Sequence, residues 1–166
     1  MNTFILLQIC LVVHLTGLTL MAGTTVSEYI TLKAFSKMLF TGDEKAMSLL
    51  LLMKKLSVFL GLGVALLILS GTGLFIITGG AFIHQFWFKV KLILIVVLIL
   101  NGFLVGGRQE SRLMNSINEN GGKVNEQLSK AISSLSMFYK VQMGIFFLII
   151  VLSIFKFNVV LMNNCK

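Results

Sequence analysis

Proline is absent from this sequence of 166 residues, so no helix in it is interrupted by that residue. Cysteine occurs only twice, at Cys10 and Cys165, without the close spacing of a zinc or iron–sulfur site. Asp and Glu together number six, and only 12% of all residues are charged. Ser/His/Asp arrangements, carboxylate pairs and metal-binding helix motifs are also lacking, so the sequence leaves open whether the protein is an enzyme.

Hydrophobic residues, in contrast, are abundant. They make up 57% of the chain, and the mean hydropathy is +0.96. A soluble protein of this size must leave about a third of its potential surface wet and has no room to hide so many apolar side chains. The composition therefore predicts an integral membrane protein, with the lipid bilayer as its main partner.

The formal charge of +8 raises nucleic acid as a partner, but the distribution of the charges argues against it. The basic residues lie between long apolar stretches, where membrane proteins carry the charges that set their orientation. Only Arg108 and Arg112 are arginines, the residue best suited to bind phosphate with two hydrogen bonds. We therefore predict no nucleic-acid binding.

Four apolar stretches are each near the length of about 20 residues that crosses a bilayer. A signal peptide is the alternative for the first stretch, but no Lys or Arg precedes Phe4, and we expect it to remain as a membrane helix. Strands of a membrane barrel would be shorter and would alternate in polarity. The sequence thus predicts an all-α, single-domain, four-helix membrane bundle with spans at about 4–22, 56–78, 90–107 and 141–157.

The loop charges predict how the chain is oriented. Five basic residues lie within 33–55 and five within 108–140, out of fourteen in the chain. Because positive charge is enriched in cytoplasmic loops, both of these segments are predicted to be cytoplasmic, with the two termini outside the inner (plasma) membrane. All six acids fall in or beside these regions, so no carboxylate relay across the bilayer is predicted.

Both loops have helical patterns that extend the predicted bundle into the cytoplasm. Val124, Leu128, Ile132 and Leu135 recur at helical spacing, with Met114 and Ile117 placed to face them. We expect the first two and the last two helices to form long hairpins.

Glycine is concentrated in the second and third predicted spans. Small residues let membrane helices approach closely, because lipid offers no hydrophobic drive for their association. The predicted packing positions are Gly61, Gly63, Gly71, Gly73, Gly102 and Gly106.

His14 lies near the middle of the first predicted span, where a polar side chain usually faces the bundle interior. A neutral imidazole there is a candidate ligand for a haem iron or a group for proton transfer. The structural alternative is a hydrogen bond to a helix carbonyl or to a hydroxyl such as that of Thr16. The sequence leaves both interpretations open.

Two further polar residues lie in the third predicted span. Lys91 lies beside aromatic residues, as an interfacial anchor would. Because it is one turn deeper than a purely peripheral charge, contact with an anionic ligand such as a carboxylate is the alternative. Asn101 is a candidate for a hydrogen bond across helices or for a part in ligand binding.

The order of these features resembles the HemJ-type protoporphyrinogen oxidases and the related CopD-like membrane domains. The first helix carries His14 followed by Met21-Ala22-Gly23, the second ends in Leu69-Ser70-Gly71-Thr72-Gly73, and the third opens with Trp87-Phe88-Lys89-Val90-Lys91-Leu92. The similarity extends over about 11–157 in short motifs, and Asn101 stands where that group has a third-helix histidine.

The resemblance implies a four-helix bundle that binds b-type haem or a porphyrin, with His14 as the iron ligand and Lys91 as the functional basic residue. Two alternatives remain open from the residues. One is a non-enzymatic accessory subunit, whose glycine faces dock a second copy or another membrane protein. The other is a small transporter component.

Overall fold

The computed structural model describes residues 2–43, 45–81, 83, 85–102, 106–119 and 126–163, with all of their side chains except those at 87, 109, 110, 116, 118, 119 and 154–163. In this part of the chain the only regular elements are five helices, which confirms the all-α prediction. They are α1 (Thr3–Thr41), α2 (Ala46–Ile77), α3 (Phe86–Asn101), α4 (Gly107–Glu119) and α5 (Glu126–Asn163).

Three of these helices, α1, α2 and α5, are long and apolar enough to cross a membrane. α1 has 39 residues and is therefore about 58 Å long, roughly twice the thickness of the hydrocarbon core. In the most apolar stretch of α1, only 11% of residues are buried inside the protein, as expected for side chains that face lipid.

The third predicted span is described only in part. α3 ends at Asn101, and its 16 residues give a length of about 24 Å, less than the roughly 30 Å of a hydrocarbon core. The predicted span continued to residue 107, but positions 103–105 lie outside the described residues. A fourth membrane crossing at α3 therefore stays a prediction.

α1 and α2 run in opposite directions, since His14 meets Ser70 and Glu28 meets Ser57, and α3 and α5 do the same. α1 packs along α2, α5 packs along α1, and α3 and α4 both pack on α5. The turn after α1 depends on Gly42, whose φ of 71° is easily adopted only without a side chain. The backbone N–H of Gly42 and that of Asp43 then bond to the carbonyls of Leu39 and Met38 and cap the end of α1.

The bundle has two separate cores, one at one end and one at mid-span. We call the end with the α1–α2 turn the loop end, and the opposite end, where α1 begins, the terminal end. The loop-end core joins α1, α2, α4 and α5 through Leu32, Phe35, Ala46, Leu50, Met53, Leu113, Ile117, Leu128, Ala131, Ile132, Leu135, Phe138 and Tyr139. The mid-span core, formed by Met21, Leu98, Phe146 and Ile149, joins α1, α3 and α5, with partly buried residues of α2 against it.

The helical stripe predicted in the second loop is confirmed where the structure describes it. Leu128, Ile132 and Leu135 are buried in the loop-end core together with Ile117, and Met114 packs against it. Val124 lies outside the described residues, as do the other positions in 120–125.

Candidate functional site

His14 lies on the side of α1 that faces α2, where its imidazole meets a hydroxyl group. The Nδ1 atom of His14 is 3.0 Å from Oγ of Ser70, a buried residue of α2. Thr16, considered from the sequence as a partner, donates instead to the carbonyl of Val12 in its own helix. The bond from His14 therefore joins two helices.

The hydrogen bonds of Ser70 indicate which nitrogen of His14 carries the proton. The Ser70 hydroxyl donates to the carbonyl oxygen of Leu66. When the single hydroxyl hydrogen is in the bond to Leu66, Ser70 accepts from His14, and Nδ1 is the donor in that tautomer. In the neutral ring the lone pair is then on Nε2. Metal-binding histidines have this arrangement, in which the second ring nitrogen donates to a fixed acceptor.

Glycine allows α1 and α2 to approach closely on the loop-end side of this bond. A Cβ at Gly17 would lie 3.1 Å from the backbone nitrogen of Leu67, and one at Gly63 would lie 3.1 Å from that of Met21. A Cβ at Gly71 would lie 3.5 Å from Cε1 of His14, in ordinary contact. Gly17 and Gly63 thus form a tight helix–helix seam, and Gly17 is a position that the sequence analysis did not select.

The other predicted packing glycines differ among themselves. A Cβ added at Gly73 would lie 3.2 Å from Sγ of Cys10, and one added at Gly102 would lie 3.9 Å from Nε2 of Gln142. A Cβ added at Gly106 would lie 2.9 Å from the Phe138 ring. Gly61 has no atom within 4 Å of that position. Glycine content alone does not show which face of a helix a glycine occupies, and this explains why the sequence grouped them together.

Lys91 projects from α3 toward α5. Its ammonium group donates to Oγ of Ser153 at 2.8 Å, and Ser153 in turn donates to the carbonyl of Ile149. Lys91 is also close enough to His14 to act on it electrostatically. His14 lies seven positions before Met21, and Lys91 lies seven positions before Leu98. Because Met21 and Leu98 both belong to the mid-span core, His14 and Lys91 lie at the same level of the bundle.

Asn101 does not belong to this group. Its Nδ2 donates to Oε1 of Gln142 at 3.0 Å, and Gln142 is only 1% exposed. Since Asn101 follows Lys91 by ten residues, it lies about 15 Å further along α3, toward the loop end. The structure therefore brings His14 and Lys91 together at one level and places Asn101 in a separate bond between α3 and α5.

The sequence analysis missed Glu28, which is 1% exposed and accepts a hydrogen bond from the Ser57 hydroxyl at 3.1 Å. A signal was present, because Met21, Thr25, Glu28, Leu32 and Phe35 recur at intervals of three and four and share one helix face. Thr25 and Gln142 are buried at neighbouring levels. We call Thr25, Glu28, Ser57, Asn101 and Gln142 the polar layer, which separates the mid-span core from the loop-end core.

In the described ranges, no three His, Cys, Asp or Glu side chains converge in a way that would hold a bare metal ion. A metal bound at His14 would need its other ligands from elsewhere, as a haem iron obtains four from its porphyrin. His84 lies outside the described residues. Comparisons with models of protein families, with curated proteins and with solved structures found no match to this chain, so the site is interpreted from its geometry.

Proposed function

We propose that this chain is a multi-pass membrane protein that binds a porphyrin, with haem b as the first candidate, through His14. Three long apolar helices support the membrane location. The observation that carries the ligand proposal is the bond from His14 to Ser70, because it leaves the lone pair of Nε2 for an incoming metal.

The residues present fit such a ligand in type and number. A single imidazole is enough for a haem, because the macrocycle supplies the other four nitrogen ligands. Lys91, at the same level, provides a positive charge for a propionate, and its bond to Ser153 holds the side chain in the bundle. When bound, the haem would supply redox chemistry, while His14 would orient the iron and Lys91 the acidic edge.

The tight seam between α1 and α2 limits where such a ligand enters. Contact at Gly17 and Gly63 leaves no room for a macrocycle between these two helices. His14 itself is half-buried, and Leu11 and Leu15 beside it are 44% and 52% exposed. The ligand would therefore approach from the apolar outer face of α1.

Orientation in the membrane is part of the proposal. We place the loop end in the cytoplasm, both termini outside, and α3 as the fourth crossing. Exposed apolar residues along α3, among them Ile93, Val96 and Leu100, support its contact with lipid. Labelling a cysteine introduced at Lys37 from each side of the inner membrane tests this orientation, and label entering from outside would overturn it.

A visible spectrum of the purified protein, before and after addition of haem, tests the proposed ligand. We expect a Soret band that is lost in His14→Ala and retained in His84→Ala, which removes the only other histidine. Ser70→Ala keeps His14 as the iron ligand but removes the hydrogen bond that fixes the tautomer of its ring, so haem affinity should fall about tenfold to a hundredfold. Lys91→Met should weaken binding while preserving the spectrum.

Two results would contradict the proposal. One is a protein that stays colourless after addition of haem, and the other is a Soret band of equal strength in His14→Ala. A colourless protein would favour an accessory subunit, for which Gly61 on α2 and Gly144 on α5 offer exposed positions with no atom within 4 Å.

A further inference from the structure

Five basic side chains surround the bundle on the loop-end side of the polar layer. They are Lys33 of α1, Lys54 and Lys55 of α2, Arg108 of α4 and Lys140 of α5, and we call them the basic girdle. All five are exposed, so their charged groups face the surroundings of the bundle and not its cores. Their common level along the bundle follows from contacts between the helices.

On α1 and α2, the bond between Glu28 and Ser57 fixes this level. Lys33 lies five residues from Glu28, and Lys54 and Lys55 lie three and two residues from Ser57. Because the two helices run in opposite directions, all three lysines are displaced from this bond towards the loop end. A helix rises about 1.5 Å per residue, so the displacement is about 3–8 Å.

On the other side of the bundle, α5 sets the level of the remaining two residues. Lys140 lies two residues from Gln142 of the polar layer, again on the loop-end side. Gly106 contacts the ring of Phe138, which precedes Lys140 by two residues, and Arg108 follows Gly106 by two. The whole girdle therefore lies within about 10 Å of the polar layer.

Long stretches without exposed charge place this girdle at a membrane surface. α2 contains no charged residue from Leu56 to Ile77, and this stretch is about 33 Å long. α1 contains no basic residue before Lys33 except the neutral His14, and its acid Glu28 is buried. Since the hydrocarbon core of a bilayer is about 30 Å thick, the girdle lies directly beyond it, at the depth of the lipid headgroups.

Acidic side chains do not neutralise the girdle in the described part of the protein. Of the acids whose side chains are described, Glu28 is buried, and Asp43 and Glu126 lie about 15–20 Å further towards the loop end. Glu126 is moreover paired with Lys130 at 2.7 Å. Charges in water are screened over about 10 Å at moderate salt, so these distant acids have little effect on the girdle.

We propose that the basic girdle binds the headgroup phosphates of anionic phospholipids in the adjacent leaflet. Basic residues near a membrane surface attract anionic lipids. Ile30 shares a helix face with Lys33, and Val58 shares one with Lys54, because these pairs are three and four residues apart. Ile30 and Val58 are 61% and 72% exposed and would contact the acyl chains. An acidic soluble protein would match only the charges, whereas a lipid matches both surfaces.

This proposal rests on the membrane crossing of α1 and α2, which is part of the proposed function. It does not depend on haem binding at His14 or on which side of the membrane the loop end faces. The two proposals can therefore fail separately.

Spin-labelled lipids test the proposal. The full chain is reconstituted in phosphatidylcholine vesicles that contain a trace of spin-labelled phosphatidylglycerol or of spin-labelled phosphatidylcholine. Electron spin resonance then gives the fraction of label that the protein immobilises. At low salt we expect phosphatidylglycerol to associate about three- to tenfold more strongly than phosphatidylcholine, and added salt should reduce this preference.

Variants of the α2 lysines show whether the girdle causes the preference. Lys54→Gln with Lys55→Gln should reduce it about two- to fivefold, and Lys54→Arg with Lys55→Arg should retain it, because the charge is kept. Lys45→Gln with Lys130→Gln is the matched control. It removes the same charge from exposed residues about 15 Å further from the membrane and should leave the preference unchanged.

Flotation of the vesicles on a density gradient, measured on the same samples, separates the possible failures. Equal association of the two labelled lipids with a chain that floats would overturn lipid binding alone and would favour an acidic protein as the partner of the girdle. An equal loss of preference in the Lys45 and Lys130 control would also overturn it. A chain that does not float with the vesicles would overturn the membrane crossing as well.

Discussion

At the loop end, Leu32, Leu113 and Leu128 are fully buried, and thirteen buried residues from four helices form one core. At mid-span only four buried residues form the core, and from there towards the terminal end side chains such as Leu69 and Ile76 on α2 are about 70% exposed. The same helices α1, α2 and α5 run through both regions. The difference thus lies in their surroundings and not in the type of secondary structure.

The proposed topology, with the loop end in water and mid-span in lipid, accounts for this contrast. In water, apolar side chains gain free energy only when they are buried against each other, so the loop end packs like the interior of a soluble helix bundle. In lipid, an exposed leucine loses nothing, and helix association depends on close packing and hydrogen bonds. From mid-span towards the terminal end, the structure accordingly shows a glycine seam and hydrogen bonds such as that between His14 and Ser70.

The largest effect expected from this contrast is the loss of stability when a leucine is replaced by alanine. Leu113→Ala removes a side chain that is 0% exposed from the loop-end core, and it should reduce the free energy of unfolding by about 2–5 kcal/mol. Leu69→Ala removes the same atoms from a site that is 71% exposed, and it should change the free energy of unfolding by about 0.5 kcal/mol or less. Unfolding in mixed detergent micelles, followed by circular dichroism, measures both, and equal losses would break the comparison.

In the membrane region, the effect of replacing a glycine on stability should depend on whether that glycine lies in the seam between α1 and α2. Gly63→Ala places a methyl group 3.1 Å from the backbone nitrogen of Met21, forces α1 and α2 apart, and should destabilise the protein by about 1–3 kcal/mol. Gly61→Ala, two residues away, meets no atom within 4 Å and should stabilise α2 by up to about 1 kcal/mol. The same unfolding measurement applies, and two changes of equal sign would contradict the seam.

The sequence was informative where one physical rule dominates. Long apolar runs predicted the helices, and the spacing of Leu128, Ile132 and Leu135 predicted a buried stripe that the loop-end core confirms. Such patterns are local, because a helix brings residues three and four apart onto one face.

Contacts between helices were not predictable in the same way. The partner of His14 is 56 positions away, and Ser70 meets it only because the turn that begins at Gly42 sets the register of α2 against α1. The sequence predicts that Glu28 lies beside a charged loop, whereas α1 continues unbroken to Thr41 and keeps this side chain inside the bundle. The charge of Glu28 predicted an exposed side chain, whereas packing between the helices buries it.

The smallest of these expected effects lies in the polar layer between the two regions. Asn101→Ala and Gln142→Ala each remove one partner of a bond between α3 and α5, and a double-mutant cycle isolates its coupling energy. Hydrogen bonds between membrane helices average about 0.6 kcal/mol and seldom exceed about 2 kcal/mol, so we expect a coupling in this range. Replacing Asn101 in the cycle by Asn115, which is exposed on α4, should give no coupling with Gln142. A similar coupling for both asparagines would show that the measured coupling does not come from the bond between Asn101 and Gln142.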